Sequence, residues 1–94
     1  MSEPDFIFSP LKESGITVQA FPNPFSDRTT IVVSGLNDSY DFSLHDVTGK
    51  LKKKITGIEA NQFELKREDL SAGIYFYSIH SREKFMTAGK LVIQ

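Results

Sequence analysis

The chain carries two histidines, His45 and His80, and no cysteine, so there is no cysteine nucleophile, and a serine–histidine–carboxylate arrangement would have to use one of these imidazoles. Both sit in strand-like stretches, and neither has an evident serine–carboxylate constellation around it. Surface histidines are the favoured reading, although a two-sheet fold could bring the pair together. Glu68 and Asp69 are adjacent and so point apart; their better account is turn chemistry, with Asp69 hydrogen-bonding local backbone. Asn37, Asp38 and Asp41 make an oxygen-rich cluster. It lacks the D-x-D-x-D-G spacing of a calcium loop and reads as an Asx-type loop. No catalytic residue, cofactor or metal is expected.

Lys50, Lys52, Lys53 and Lys54 are the one run of charge. In a regular strand Lys52 and Lys54 face one way, and Lys53 faces the other with Leu51 and Ile55. An inward lysine discourages edge-to-edge pairing, so a protected edge strand is expected there. The rival reading is a patch for an anionic surface or an acidic receptor groove. Net charge is −1, from eleven basic and twelve acidic residues. That balance removes the electrostatic case for nucleic acid as an obligatory partner.

The elements that must hold these side chains are strands. From Ile16 onward apolar and polar residues alternate at period two, and β-branched and aromatic types dominate. Strands are predicted at 16–21, 28–34, 40–46, 50–56, 62–67, 73–81 and 84–93. Asp46-Val47-Thr48-Gly49 is a tight hairpin turn whose glycine can take the left-handed conformation. Gly57 to Asn61 makes the next reversal, Glu68 to Ala72 a longer crossing and Ser81-Arg82-Glu83 the last turn. About seven short strands at this spacing predict an all-β, immunoglobulin-like antiparallel sandwich. The alternation turns Ile16, Val18, Ile31, Val33, Tyr40, Phe42, Leu44, Ile55, Phe63, Leu65, Tyr75, Tyr77 and Ile79 inward. Phe85, Leu91 and Ile93 should join them from the last strand, where Gly89 is a candidate register shift. Phe76 is the main aromatic expected outside.

Phe21-Pro22-Asn23-Pro24-Phe25 interrupts this pattern. Two prolines remove two backbone donors and fix two φ angles near −65°, and the residues before them are pushed toward extended conformations. A stiff corner follows, with Phe21 and Phe25 expected to pin it to whatever lies beneath.

The 94 residues suit one domain with a thin core, burying about 60–65% of the unfolded surface. Residues 1–15 read as a tether around the apolar island Phe6-Ile7-Phe8, and 16–94 as the folded unit. No stretch approaches the ~20 apolar residues of a membrane-spanning helix, so no membrane insertion is expected. No signal peptide is visible at the N-terminus. A cysteine-free chain is compatible with the periplasm or cell surface without demanding either.

Four segments together carry a resemblance. They are Pro22-Asn23-Pro24-Phe25; Asp46, Gly49 and Lys50 of D-x-x-G-K; Leu70, Gly73 and Tyr75 of L-x-x-G-x-Y; and Gly89-Lys90-Leu91-Val92. In this order and spacing the chain resembles the type A C-terminal sorting domain of cargo proteins of the type IX secretion system of Bacteroidota, over roughly residues 16 to 94. His45 departs from the tyrosine or phenylalanine usual before the turn aspartate. The resemblance implies a non-enzymatic domain that carries a passenger through the periplasm and across the outer membrane to the cell surface or medium. It implies as partners the outer-membrane export machinery and a sortase-like peptidase, and a signal peptide elsewhere in a longer protein. Cleavage is expected in the Ser9–Gly15 segment, where the backbone is unpaired. A monomer is expected, with an edge-strand dimer as the alternative. The rival function is an accessory sandwich module binding carbohydrate or protein beside an enzyme. It has thin support in a chain without tryptophan, and fold alone does not decide between the two.

Overall fold

Period-two alternation becomes seven β-strands in the computed structural model, which describes residues 15–94. All but the last residue of the 1–15 tether and of the Ser9–Gly15 segment, with the aromatic island, lie outside the described residues. The strands are β1 (Thr17–Phe21), β2 (Arg28–Ser34), β3 (Tyr40–His45), β4 (Leu51–Ile58), β5 (Gln62–Lys66), β6 (Gly73–Ser81) and β7 (Lys84–Ile93). All neighbouring pairs are antiparallel. They form a three-stranded sheet in the order β1-β2-β5 and a four-stranded sheet in the order β4-β3-β6-β7. This is the expected immunoglobulin-like sandwich, in a version whose fourth strand pairs with the third rather than with the fifth.

Alternating side chains from both inner faces fill the space between the sheets. Ile31, Phe42, Leu44 and Ile79 are fully buried. Phe42 links the layers: its ring meets Phe63 edge-on at 5.2 Å and stacks with Tyr77 at 5.9 Å between centroids. Such aromatic pairs add about 0.5–1.5 kcal/mol beyond their area burial. Three buried apolar residues fall outside the alternation: Phe25, Ile58 and Leu70. Each follows a proline, a bulge or a turn, where chain direction rather than period two sets the facing.

The alternation fails at three register shifts, all involving the rim strands β4 and β7 of the larger sheet. Gly57, at φ 66°, stays inside β4 instead of opening the reversal, and the Asp41 carboxylate accepts its N–H at 3.0 Å. The extra residue turns Ile58 inward, opposite Tyr40. A second bulge at Lys52 separates Leu44↔Lys53 from His45↔Leu51, so Leu51 shares the outer face with His45 and is 50% exposed. The expectation that Leu51 faces inward with Lys53 and Ile55 is thereby corrected. A third, at Met86, separates Ile79↔Thr87 from His80↔Phe85. Met86 packs against the core in place of Phe85, which is 46% exposed and meets the His80 ring at 5.6 Å. Phe85 is therefore a second correction.

Lys53 does turn inward from β4. Its side chain is only 19% exposed and its ammonium sits 2.7 Å from Glu68 and 3.0 Å from the Lys66 carbonyl. A lysine crossing the open side of the sandwich, beside two bulges, makes β4 a poor template for another strand.

Candidate functional site

The proline corner lies along the C-terminal end of β7, joining the two most distant of the four segments. Both X–Pro bonds, Phe21-Pro22 and Asn23-Pro24, are cis. The prolines have no N–H to pair with a neighbour, and the Asn23 side chain supplies the pairing instead. Its amide nitrogen donates to the Lys90 carbonyl at 3.3 Å, and its amide oxygen accepts from the Val92 N–H at 3.0 Å. Phe25 continues the ladder in main chain, donating to the Val92 carbonyl at 3.0 Å and accepting from Gln94 N–H at 2.8 Å. The run from Lys90 to Gln94 therefore presents a capped edge. Phe25 drops into the core at 1% exposure while Phe21 stays 48% exposed, so one aromatic pins the corner, not two. Thr29, itself buried, secures the corner from β2 by donating its hydroxyl to the Pro22 carbonyl at 2.7 Å.

Arg67 closes this end from the other sheet. Its guanidinium donates to the carbonyls of Leu70 at 2.8 Å, Ser26 at 3.1 Å and Gln94 at 2.7 Å. Charge-assisted bonds of this kind are the stronger ones. Neither Arg67 nor Thr29 stood out in the sequence, because a lone polar residue at a strand end carries no pattern. Leu70 is buried beneath the crossing, and Tyr75 donates its hydroxyl to the Ser71 carbonyl at 2.7 Å, locking the turn that feeds β6. Gly73 opens that strand opposite Ile93, and Tyr75 faces Leu91.

Gly89 makes no bulge. It pairs in register with Tyr77, and a Cβ built there would fall on the Tyr77 phenol ring. The glycine is required because that ring lies across the β7 backbone. Leu91 and Ile93 are buried and Lys90 is exposed, as the alternation predicts.

In the β3–β4 turn one carboxylate oxygen of Asp46 accepts from the Thr48 hydroxyl at 2.6 Å, the Thr48 N–H at 2.9 Å and the Lys50 N–H at 3.0 Å. Gly49, at φ 90°, donates back to the Asp46 carbonyl at 2.9 Å. The Thr48 hydroxyl above all, then the backbone donors, holds the Asp46 pKa below its ordinary value; the Lys53 ammonium does the same for Glu68. A lowered folded-state pKa contributes stability above the unfolded carboxylate pKa and loses it as pH falls through the folded one. Melting temperature should accordingly fall below about pH 4, and fall less steeply in Asp46→Asn, which keeps an acceptor and removes the charge. An identical acid profile in the two proteins would rule this linkage out.

The remaining candidates do not converge. His45 and His80 lie in β3 and β6 opposite Phe76 and Asp41 respectively. Asp38 approaches Arg82 at 3.9 Å, while Asp41 serves the Gly57 N–H. Among the described residues no group of three or more histidines, cysteines or carboxylates could hold a metal ion.

The four segments instead gather at one end of the sandwich. His45 beside the Asp46 turn pairs with Phe76, Phe76 pairs with Lys90, and Lys90 touches Asn23. The family described as the secretion system C-terminal sorting domain matches residues 19–94. No curated protein gives a significant match. Among solved structures the chain is similar to PorZ of Porphyromonas gingivalis, described as an essential surface component of the type IX secretion system. That match has a TM-score of 0.67 at 18% identity, over 82% of this chain and 11% of PorZ. At that identity the likeness speaks to the fold. The family match, spanning most of the chain and all four segments, carries the assignment: the chain belongs to the secretion system C-terminal sorting domains and is a type IX sorting signal.

Proposed function

We propose that this domain carries a passenger through the periplasm, is read by the outer-membrane type IX machinery at its β7 end, and is removed at the cell surface by a sortase-like peptidase. In that reading it acts as a monomer, as a substrate and not as an enzyme. Residues 1–15 are the tether to the passenger, and cleavage falls between Ser9 and Gly15. The observation that supports it is the meeting of Asn23 with Lys90 and Val92. Residues from opposite ends of the folded unit are spent on presenting one short stretch of strand in a fixed shape, as a recognition signal requires.

The test is export of a passenger fused to this chain in a type IX host. Deleting Lys90 to Gln94 should strand the passenger in the periplasm, but it also strips Leu91 and Ile93 from the core. Lys90→Ala separates the effects. The side chain is exposed and its main-chain carbonyl remains available to Asn23, so stability should change by no more than about 0.5 kcal/mol. The expected result is an unchanged melting temperature with reduced export. Normal export of both variants would return the domain to the accessory-module reading.

A further inference from the structure

The outer faces of the two sheets differ in chemistry. The three-stranded sheet presents mostly polar side chains, among them Thr17, Gln19, Arg28, Thr30, Gln62 and Glu64, as a solvated face should. On the four-stranded sheet Leu51, Ile74, Phe76 and Phe85 are 44–50% exposed. Registration makes the first three contiguous. Leu51 on β4 faces His45 on β3, His45 faces Phe76 on β6, and Phe76 faces Lys90 on β7. Ile74, two residues from Phe76, faces Val92. Beside this row run Lys54, Ser43, Ser78 and Ala88, again one from each strand. The short side chains leave a hollow of about 150 Å³ bounded by Phe76, Ala88, Gly89 and Lys90.

Ile74 and Phe76 face outward by regular alternation, and two bulges add Leu51 and Phe85 to the same face. Regular alternation from Lys53 would turn Leu51 to the core, and from Thr87 would turn Phe85 there; the bulges at Lys52 and Met86 reverse both. Leu51 gives up part of the about 1.5–3 kcal/mol that full burial of a large apolar side chain is worth, whereas Met86 takes the place of Phe85 against the core. Bulges re-aim side chains, and here both re-aim an apolar one onto the same face. Contiguous exposed apolar surface of this kind marks an interaction site.

We propose that the outer face of the β4-β3-β6-β7 sheet, centred on Phe76 and Leu51 and bordered by Lys54 and Lys90, docks an acidic-rimmed, apolar-centred protein surface of the export machinery. The proposal rests on the sorting function and names the face that is read and the chemistry of its reader. Charge selects the occupant. The cations Lys54 and Lys90 border the apolar row; Asp41 and Glu83 lie on the other side of Lys54, in a hollow that Ser43 and His80 also line, with one Asp41 oxygen already accepting from Gly57. A second copy docked face to face about a two-fold axis along the strands would set lysines against lysines. A glycan would be better served by flat aromatic platforms than by Leu51, Ile74 and Val92.

Export of the passenger fusion tests it with three variants. Leu51→Glu/Phe76→Glu should lower export roughly tenfold, the equilibrium equivalent of losing an interface anchor. Lys54→Gln/Lys90→Gln, which removes both charges without adding a carboxylate beside Asp41 and Glu83, should lower it similarly with an unchanged melting temperature. Gln19→Glu/Gln62→Glu on the polar face should export like the parent. A benzophenone side chain in place of Phe76 should cross-link in the cell to an outer-membrane protein, and the adduct should vanish with Lys54→Gln/Lys90→Gln. Normal export of both first variants overturns the docking face and leaves the sorting function standing. Adducts to a second copy of the fusion or to lipopolysaccharide overturn it too. If the parent fusion itself stays in the periplasm, the sorting function fails and the docking face falls with it.

Discussion

Replacing Phe25 with alanine should lower the unfolding free energy by about 3–5 kcal/mol, the usual range for truncating a buried aromatic. The side chain is 1% exposed and sits where the proline corner meets β7, so its loss leaves a cavity under the junction of the two sheets. Domains of this size have a total stability of about 5–15 kcal/mol, and 1 kcal/mol moves the melting temperature by roughly 4–8 °C. Thermal or urea unfolding should therefore separate this variant clearly from the parent. Phe21→Ala is the control. It removes an aromatic from the same motif that is 48% exposed, and its effect should stay near 0.5 kcal/mol. Equal effects of the two would mean that the corner is held by its prolines and not by the single buried ring. Asn23→Asp refines the picture: the carboxylate can still accept from Val92 N–H, but it cannot donate to Lys90. A loss of about 0.5–1.5 kcal/mol, the net worth of one hydrogen bond, is expected.

Gly89→Ala should destabilise the domain by about 1–3 kcal/mol through overpacking. The new methyl group would occupy the place of the Tyr77 ring, which is confined by stacking on Phe42 and is only 9% exposed. Neither partner can yield without disturbing the centre of the core. Shortening Tyr77 to leucine makes room, so Gly89→Ala should cost much less in a Tyr77→Leu background. The two positions should show a coupling energy of about 0.5–3 kcal/mol in a double-mutant cycle. Additive effects would contradict the close approach. Gly89→Ala is thus expected to change stability, and Lys90→Ala, on the proposed function, to change export.

Much of this protein is legible without coordinates. Alternation at period two located all seven strands to within a few residues and named most of the core, because a strand buried on one face must repeat every second residue. The four short segments identified the family because each encodes a local geometry: a proline corner, an Asx-type turn at Asp46, a glycine opening β6 and a glycine–lysine step in β7. The inward turn of Lys53 followed from spacing alone. What the sequence did not reveal lies where one extra residue enters a strand. Bulges at Lys52, Gly57 and Met86 reverse the facing of every residue beyond them until the next irregularity, and so decide that Leu51 and Phe85 lie outside and Ile58 inside. Only the three-dimensional fold could show that Asn23 pairs with Lys90 and Val92, that Arg67 gathers the carbonyls of Ser26, Leu70 and Gln94, and that the Tyr77 ring rests on Gly89. These contacts join residues distant along the chain, and a side-chain amide standing in for a strand has no periodicity to betray it. Local backbone preference is written residue by residue; the partner each residue meets is set by how two sheets stack.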